Sequence, residues 1–216
     1  MPDTSSGDGA LVVLNGAAVP GGANAPAAID TERLRLRPFD GSEAGWLHAL
    51  DNDPAVMRWI NGSAETPRAF IEEQVLPLFC RGDLPIAGTG FWKLLDRAAQ
   101  EPLGWCCLRS GDHGDRAASL GYRLFPFTWG RGLASEASRA LLELAFADLG
   151  LERVYADTYE ENVASRRVLE KLGFALVREY RADLDTQQTA FFEGAEAFPG
   201  VDLEFELTRE AWARRR

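Results

Sequence analysis

Basic residues are missing from the start of this 216-residue chain: positions 1–30 hold no Lys or Arg. A secretory signal sets a positive segment ahead of its apolar stretch, so the short run 10–14 does not fit one. Long apolar runs are missing as well, and none approaches the roughly 20 residues of a membrane helix. Cysteine is scarce. Cys80, Cys106 and Cys107 cannot all pair, and neighbours rarely bridge, so they read as buried thiols of a reducing compartment. Positive charge is short overall, with 23 Lys and Arg against 33 Asp and Glu and a net charge of −10. A nucleic-acid binder normally carries a basic surplus to displace counterions from phosphates. These absences predict a cytoplasmic protein whose main partner is neither nucleic acid nor membrane.

What is present is ordinary globular composition, 46% hydrophobic and 26% charged, enough apolar side chain for a real core. The length stands near the upper end for one domain. Residues 1–30 are rich in Ala, Gly and Pro and are expected to form a flexible N-terminal extension, with an edge strand at 11–14 as the alternative. The domain is expected over 31–216. Period-two alternation begins at Thr31 and predicts a strand at 33–37. Ser42 is the expected cap of a helix to about Asp51, and Thr66-Pro67 opens a helix to about Phe79. Apolar runs at 91–95 and 103–108 suggest an antiparallel hairpin, and 118–125 a further strand ended by Pro126. After Gly132, the spacing of Leu133, Ala137, Leu141 and Leu144 marks a long helix. A strand at 154–158, a helix at Val163–Leu172 closed by Gly173, and strands at 174–181 and 201–208 complete the order. Antiparallel runs broken by single helices predict an α/β or α+β layer with a mixed sheet.

The chemistry concentrates at 125–136, where a strand ends at proline and a glycine-bearing turn leads straight into the long helix. Gly130 and Gly132 allow tight turning and leave N–H groups uncovered. The helix start adds unpaired N–H groups and a positive dipole end, a ready anion site. From Arg116 to Ser135 there are three Arg and no Asp or Glu, so this window is positive within an acidic protein. No P-loop spacing occurs, and the turn lacks the dinucleotide fingerprint. A second motif runs from Glu161 to Phe174.

Trp129-Gly130-Arg131-Gly132-Leu133-Ala134, followed by Asn162-x-x-Ser165 and Val168-Leu169-Glu170-Lys171-Leu172-Gly173-Phe174, resembles the acyl-CoA signature of the GNAT superfamily of N-acetyltransferases. Thr31 to Pro38 is similar to the opening strand of its ribosomal-protein-alanine N-acetyltransferase-like branch. The superfamily often has Gln or Arg at the position of Trp129, where this branch carries an aromatic. The resemblance implies a mixed, mostly antiparallel sheet of about seven strands flanked by about four helices, with a splayed strand pair binding acyl-CoA. It implies acetyl-CoA as co-substrate; no metal is expected, since His48 and His113 have no partner at metal-ligand spacing. The pyrophosphate would rest on the N–H groups of Gly130, Arg131, Gly132, Leu133, Ala134 and Ser135, beside Trp129. The pantetheine arm would bond the backbone of Leu124, and Leu124 or Phe125 would offer an N–H to the developing oxyanion. Asn162 would hold a pantetheine amide, Arg166 the adenosine phosphate, and Ser165 the departing sulfur.

Other readings stand beside these. Asn162 with Ser165 three residues on is also an excellent helix cap. Tyr122, Tyr155 and Tyr159 are alternative acids, Asp157 and Glu160 are candidate bases, and His48 and His113 lack partners at metal-ligand spacing. The acceptor is expected to be an amine, on a protein N-terminus or a small cationic metabolite, bound to a monomer or homodimer. The long connection 182–200, with acids and phenylalanines, is expected to help form its site opposite Val56 to Ile60. A non-catalytic acyl-CoA-binding module and an adapter with a purely structural turn are the rival classes.

Overall fold

The computed structural model describes residues 27–81, 84–110, 113–181 and 200–215. Its centre is an eight-stranded sheet in the order β1-β2-β3-β4-β5-β6-β8-β7. The strands are β1 (Ile29–Asp30), β2 (Leu34–Pro38), β3 (Gly90–Asp96), β4 (Pro102–Ser110), β5 (Ala117–Leu124), β6 (Arg153–Tyr159), β7 (Ala175–Tyr180) and β8 (Asp202–Thr208). All neighbours pair antiparallel except β5 and β6. The sheet thus begins inside the segment read as an extension, and Ala27 accepts a hydrogen bond from the Trp92 indole at 2.8 Å. The edge strand considered at 11–14 lies outside the described residues.

Alternation in β3 and β4 sends apolar side chains to two cores, one on each face of the sheet. One face buries Leu34, Leu36, Leu94, Cys106, Leu108 and Val154 under α5 (Leu133–Glu143), α6 (Val163–Leu172) and α7 (Arg209–Ala213). On the other face Phe91, Trp105 and Cys107 meet α1 (Ala44–Leu50), α2 (Pro54–Met57) and a rod formed by α3 (Arg68–Phe70), a π-helical stretch Ile71–Val75 and α4 (Leu76–Phe79). Adjacent Cys106 and Cys107 therefore sit in different cores, as the period of two requires. Burial pushes the Cys107 thiol up to about 11. The π-helical stretch has a cause nearby: Pro77 has no N–H for a carbonyl four residues back, and the wider turn precedes it.

Two expected caps differ. Ser42 does not cap α1; its Oγ donates to Asp40 Oδ1 at 2.6 Å, and Glu43 occupies the cap position. Buried Glu43 is spoken for by Lys93 Nζ at 2.5 Å and the Gly41 N–H at 2.9 Å. At α3 the cap is Pro67, while the Thr66 backbone exchanges hydrogen bonds with the Asn52 amide.

Function is positioned by the odd pair. β5 and β6 run parallel and meet only at Ala117–Ser119 against Arg153–Tyr155. Beyond Ser119 and Tyr155 they part, although β5 continues to Leu124 and β6 to Tyr159. Among the described residues no strand pairs with the facing edges there, and a cleft opens over the start of α5.

Candidate active site

The cleft is a cavity of about 820 Å³ that runs from Gly130 and Gly132 at one end to Val56 and Trp59 at the other. Its glycine-turn end is made by the backbone. A short 3-10 turn, Pro126–Thr128, leads from β5 to Gly130 and Gly132, whose φ values of +72° and +76° lie in the left-handed region that favours glycine. Gly132 is the N-cap of α5. Among the described residues, the N–H groups of Gly130 through Ser135 donate to no carbonyl; the first helical bond runs from Glu136 N to Gly132 O at 3.1 Å. A Cβ at Gly130 would meet open space. Exposed donors, a helix dipole and open space at Gly130 are the features that suit an anion.

Trp129 and Leu124 are linked. The half-exposed indole donates from Nε1 to the Leu124 carbonyl at 2.9 Å and so anchors the turn to the strand end. Leu124 faces Gly104 in the β4–β5 ladder while Phe125 N bonds Leu103 O at 3.0 Å. Alternation then turns the N–H of Leu124 toward the gap. Gly104 makes the approach possible, because a Cβ there would stand 2.2 Å from the Arg123 carbonyl. Phe125 is a correction to the expected site. Its N–H is spent in the ladder, its ring stacks on Phe127 at 5.5 Å, and it does not line the cavity. The Leu124 carbonyl thus accepts from Trp129, and its N–H is the group left without a partner on this edge among the described residues.

On the opposite wall, Asn162 Oδ1 accepts from Ser165 N at 3.2 Å, so the side chain caps α6 while lining the cavity. Ser165 Oγ lies 3.0 Å from the Tyr122 hydroxyl. Burial pushes the Tyr122 phenol up to about 12, with the Ser165 hydrogen bond opposing, so it stays protonated at neutral pH. Tyr122, one of the alternative acids, is thereby joined to Ser165 as one unit.

Arg166 does not face the cleft. It donates from Nη1 to the Glu160 carbonyl at 3.0 Å. Arg167 and Lys171 line the cavity instead, four residues apart on one face of α6. Arg131 does not line it either, and its charge acts on Asp96. Leu133, Ala134 and Ser135 do line it.

Toward the other end, Asp157 lies two residues past the last β5–β6 pair, where β6 turns away. Loss of solvation and then the Glu204 charge hold its carboxyl above the ordinary aspartate value, against a hydrogen bond from the Tyr180 hydroxyl at 3.3 Å. Val56 and Trp59 face it across the cavity with Trp105 and Arg123. Arg123 is held by Asp51, both nearly buried, and lies 5.1 Å over the Trp105 ring. The connection expected to close this end, residues 182–199, lies outside the described residues. His113 stacks on Tyr155 at 3.8 Å, and no group of three metal-ligating side chains occurs among the described residues.

A mixed sheet whose parallel pair splays over a glycine-turn anion site defines an acyltransferase of the acyl-CoA type. Residues 33–175 match the model of the acetyltransferase (GNAT) domain, and the chain belongs to that family of acetyl-CoA-dependent N-acetyltransferases. It is 29% identical over 194 residues to the FsC-acetyl coenzyme A-N(2)-transacetylase of Aspergillus fumigatus, covering 86% of this chain and 78% of that protein. It is 28% identical over 144 residues to the spermidine N(1)-acetyltransferase of Escherichia coli K12, covering 66% and 73%. Among solved structures it is similar to the spermidine N-acetyltransferase of Vibrio cholerae in complex with CoA and spermine, with a TM-score of 0.66, 18% identity, and coverage of 85% and 99%. The mixed α/β fold is thus the GNAT fold, and the protein is an acetyltransferase.

Proposed function

We propose that the enzyme transfers an acetyl group from acetyl-CoA directly to the primary amine of a small cationic acceptor, with both substrates in the cleft together. The observation that carries this reading is the continuous cavity. It joins a backbone anion site, the Tyr122–Ser165 pair and the Asp157 carboxylate within one opening between β5 and β6. The free N–H groups of Gly130 to Ser135 fit a pyrophosphate, and Arg167 and Lys171 are placed for a further phosphate. The Asn162 amide, its oxygen already capping α6, remains for the arm. Bound there, acetyl-CoA supplies its acetyl group as a thioester, open to attack by an amine.

The chain's own groups then have three tasks. Asp157 takes a proton from the ammonium so that a free amine attacks. Leu124 N–H, aimed into the gap, is the donor for charge developing on the carbonyl oxygen. Ser165 Oγ hydrogen-bonds the departing sulfur, which leaves as the thiol with the second proton that the nitrogen loses as the amide forms, and the Tyr122 hydroxyl lies 3.0 Å behind it. Ser165→Ala should therefore lower kcat about fivefold, the worth of one hydrogen bond, and leave coenzyme affinity unchanged. Since Asn162 caps α6 through the Ser165 backbone N–H, the substitution leaves the cap in place. Equal kcat in the folded variant would return Ser165 to a purely structural role.

Relatives named for spermidine and for an FsC N(2) amine support a small-molecule acceptor. The Thr31–Pro38 strand and its likeness to the ribosomal-protein branch support a second reading, a protein N-terminal amine. An acceptor panel with acetyl-CoA, read by free-thiol release, decides between them. Polyamines and small diamines should turn over, and peptides beginning with alanine or serine should not. Turnover of peptides alone would favour the second reading, and no thiol release with any amine would overturn both.

A further inference from the structure

Thr31, Glu32 and Arg33 precede β2, about a hundred residues from the anion turn, and nothing above gives them a task. The structure brings Thr31 and Arg33 to that turn. Thr31 Oγ1 donates to Glu136 Oε1 at 2.6 Å, and the Arg33 N–H donates to the same oxygen at 2.8 Å. Arg33 Nε and Nη2 both reach Glu136 Oε2 at 2.6 Å, and Nη1 donates to the Arg131 carbonyl at 2.8 Å. Each of these three acceptor atoms lies on the glycine turn or the first turn of α5. Arg97 backs the arrangement, donating from its N–H to Arg33 O at 2.9 Å and from Nη1 to Thr31 O at 2.8 Å.

Glu136 is the first acid after a window without any, and it stands in the helix turn whose N–H groups form the anion site. A carboxylate in a first turn suits the helix dipole but competes with an anionic ligand. Burial alone would raise its pKa, yet the Thr31 and Arg33 hydrogen bonds and the Arg33 charge together hold it below the ordinary glutamate value. It is therefore ionised, turned toward β2 and matched by one guanidinium. The Cβ position of Gly132 lies 3.8 Å from Arg33 Nη2, so that guanidinium also borders the cradle.

We infer that Thr31, Arg33 and Glu136 form a clamp that fixes the coenzyme turn to β2 and cancels the only carboxylate within that turn, with Arg33 as a positioning residue for acetyl-CoA binding. The inference rests on the reading of Gly130 to Ser135 as the pyrophosphate cradle. Two consequences separate it from a merely structural ion pair. Loss of Arg33 acts on coenzyme affinity rather than on chemistry, and removing the Glu136 charge as well restores part of the loss.

The test is a double-mutant cycle on the full chain, with CoA binding by calorimetry and steady-state rates at saturating acceptor. Arg33→Met should raise the CoA dissociation constant at least tenfold and the acetyl-CoA KM in parallel, with kcat within twofold. Glu136→Gln keeps an oxygen acceptor for Thr31 and for the Arg33 N–H and should change affinity less than threefold. The pair Arg33→Met/Glu136→Gln should bind at least threefold more tightly than Arg33→Met alone, more so at low salt. Gly132→Asp serves as the control for the cradle. Unchanged affinity in folded Gly132→Asp would remove the cradle reading. Weakened binding in that control, with unchanged affinity in Arg33→Met or no recovery in the double variant, would overturn the clamp and leave the cradle standing. If Arg33→Met does not fold, Arg33→Lys carries the test: it keeps charge without the fork, and an affinity unchanged from the parent would overturn the positioning role.

Discussion

Asp157→Asn should lower kcat about 100-fold, within the range lost when a positioned base is removed. The substitution keeps the shape of the side chain, and an amide oxygen still accepts from the Tyr180 hydroxyl that now bonds the carboxylate. What it loses is the capacity to take the ammonium proton. The environment argues for this residue over Glu160, which the chain also offers. Asp157 lines the cavity at the point where β5 and β6 separate, whereas Glu160 does not line it, and its carbonyl holds Arg166.

The pH dependence follows from the same surroundings. Desolvation and Glu204 raise the Asp157 carboxyl above the ordinary value of 3.8. The base works deprotonated, so kcat at saturating acceptor should climb with pH through that raised midpoint and then level. In Asp157→Asn the acid limb should vanish. Stability has the opposite sense. A carboxyl raised on folding stabilises the protein below its unfolded pKa, and that contribution is lost as pH rises through the folded value. At neutral pH the folded state therefore carries an unfavoured charge, and the Asn variant should melt no lower than the parent. A lost rate with an undiminished melting temperature identifies a catalytic base. A lost rate with a much lower melting temperature, or a retained acid limb, would sink the assignment.

The parts of this site legible in the sequence are those built from consecutive residues. A strand, a proline, two glycines and a helix start form one backbone device, and Gly130 to Ser135 occupy the positions their order implied. Asn162 and Ser165 are three apart at the start of α6, and the cap that this spacing offered is formed, on a residue that also lines the cleft. Cys106 and Cys107 divide between the cores because strand alternation allows nothing else. Legibility failed where phase or distance decided. Arg166 and Arg167 are neighbours in sequence but about 100° apart around a helix, and only the structure shows that Arg167 and Lys171 share the cleft face. The exchange of Phe125 for a ladder position depends on β4 continuing past its Gly104–Leu124 pair to Leu103. Arg33 carries no local mark of its link to Glu136, because the two meet only once β2 and α5 are packed together. β1, α2 and α7 are too short for periodicity to show.

Gly132→Asp should weaken acetyl-CoA binding at least tenfold, about 1.4 kcal/mol, with the fold retained. Two effects act together, and they can be separated. Gly132 sits at φ +76° as the N-cap of α5, a conformation in which any side chain is strained but Asp and Asn are the best tolerated after glycine. An Asp or Asn oxygen there also suits an N-cap, so much of the strain is offset in the helix itself. The added Cβ meets no backbone, with Arg33 Nη2 at 3.8 Å as its nearest neighbour, so the substitution fits sterically. The remaining cost falls on the ligand. A side chain now lies over N–H groups that a pyrophosphate must approach, and in Asp it carries a negative charge facing a negative ligand. Gly132→Asn presents nearly the same atoms without the charge. It should lose affinity by a few-fold, through coverage of the donors alone, and its loss should be insensitive to salt. The Asp variant should lose more and recover partly as salt screens the repulsion. Pulled toward the new carboxylate, Arg33 would loosen its hold on Glu136, which adds to the loss. Calorimetric titration of CoA into both variants at two ionic strengths separates the coverage from the charge effect. Equal affinity for parent, Asn and Asp proteins would mean that the turn at Gly130 to Ser135 does not hold the coenzyme phosphates.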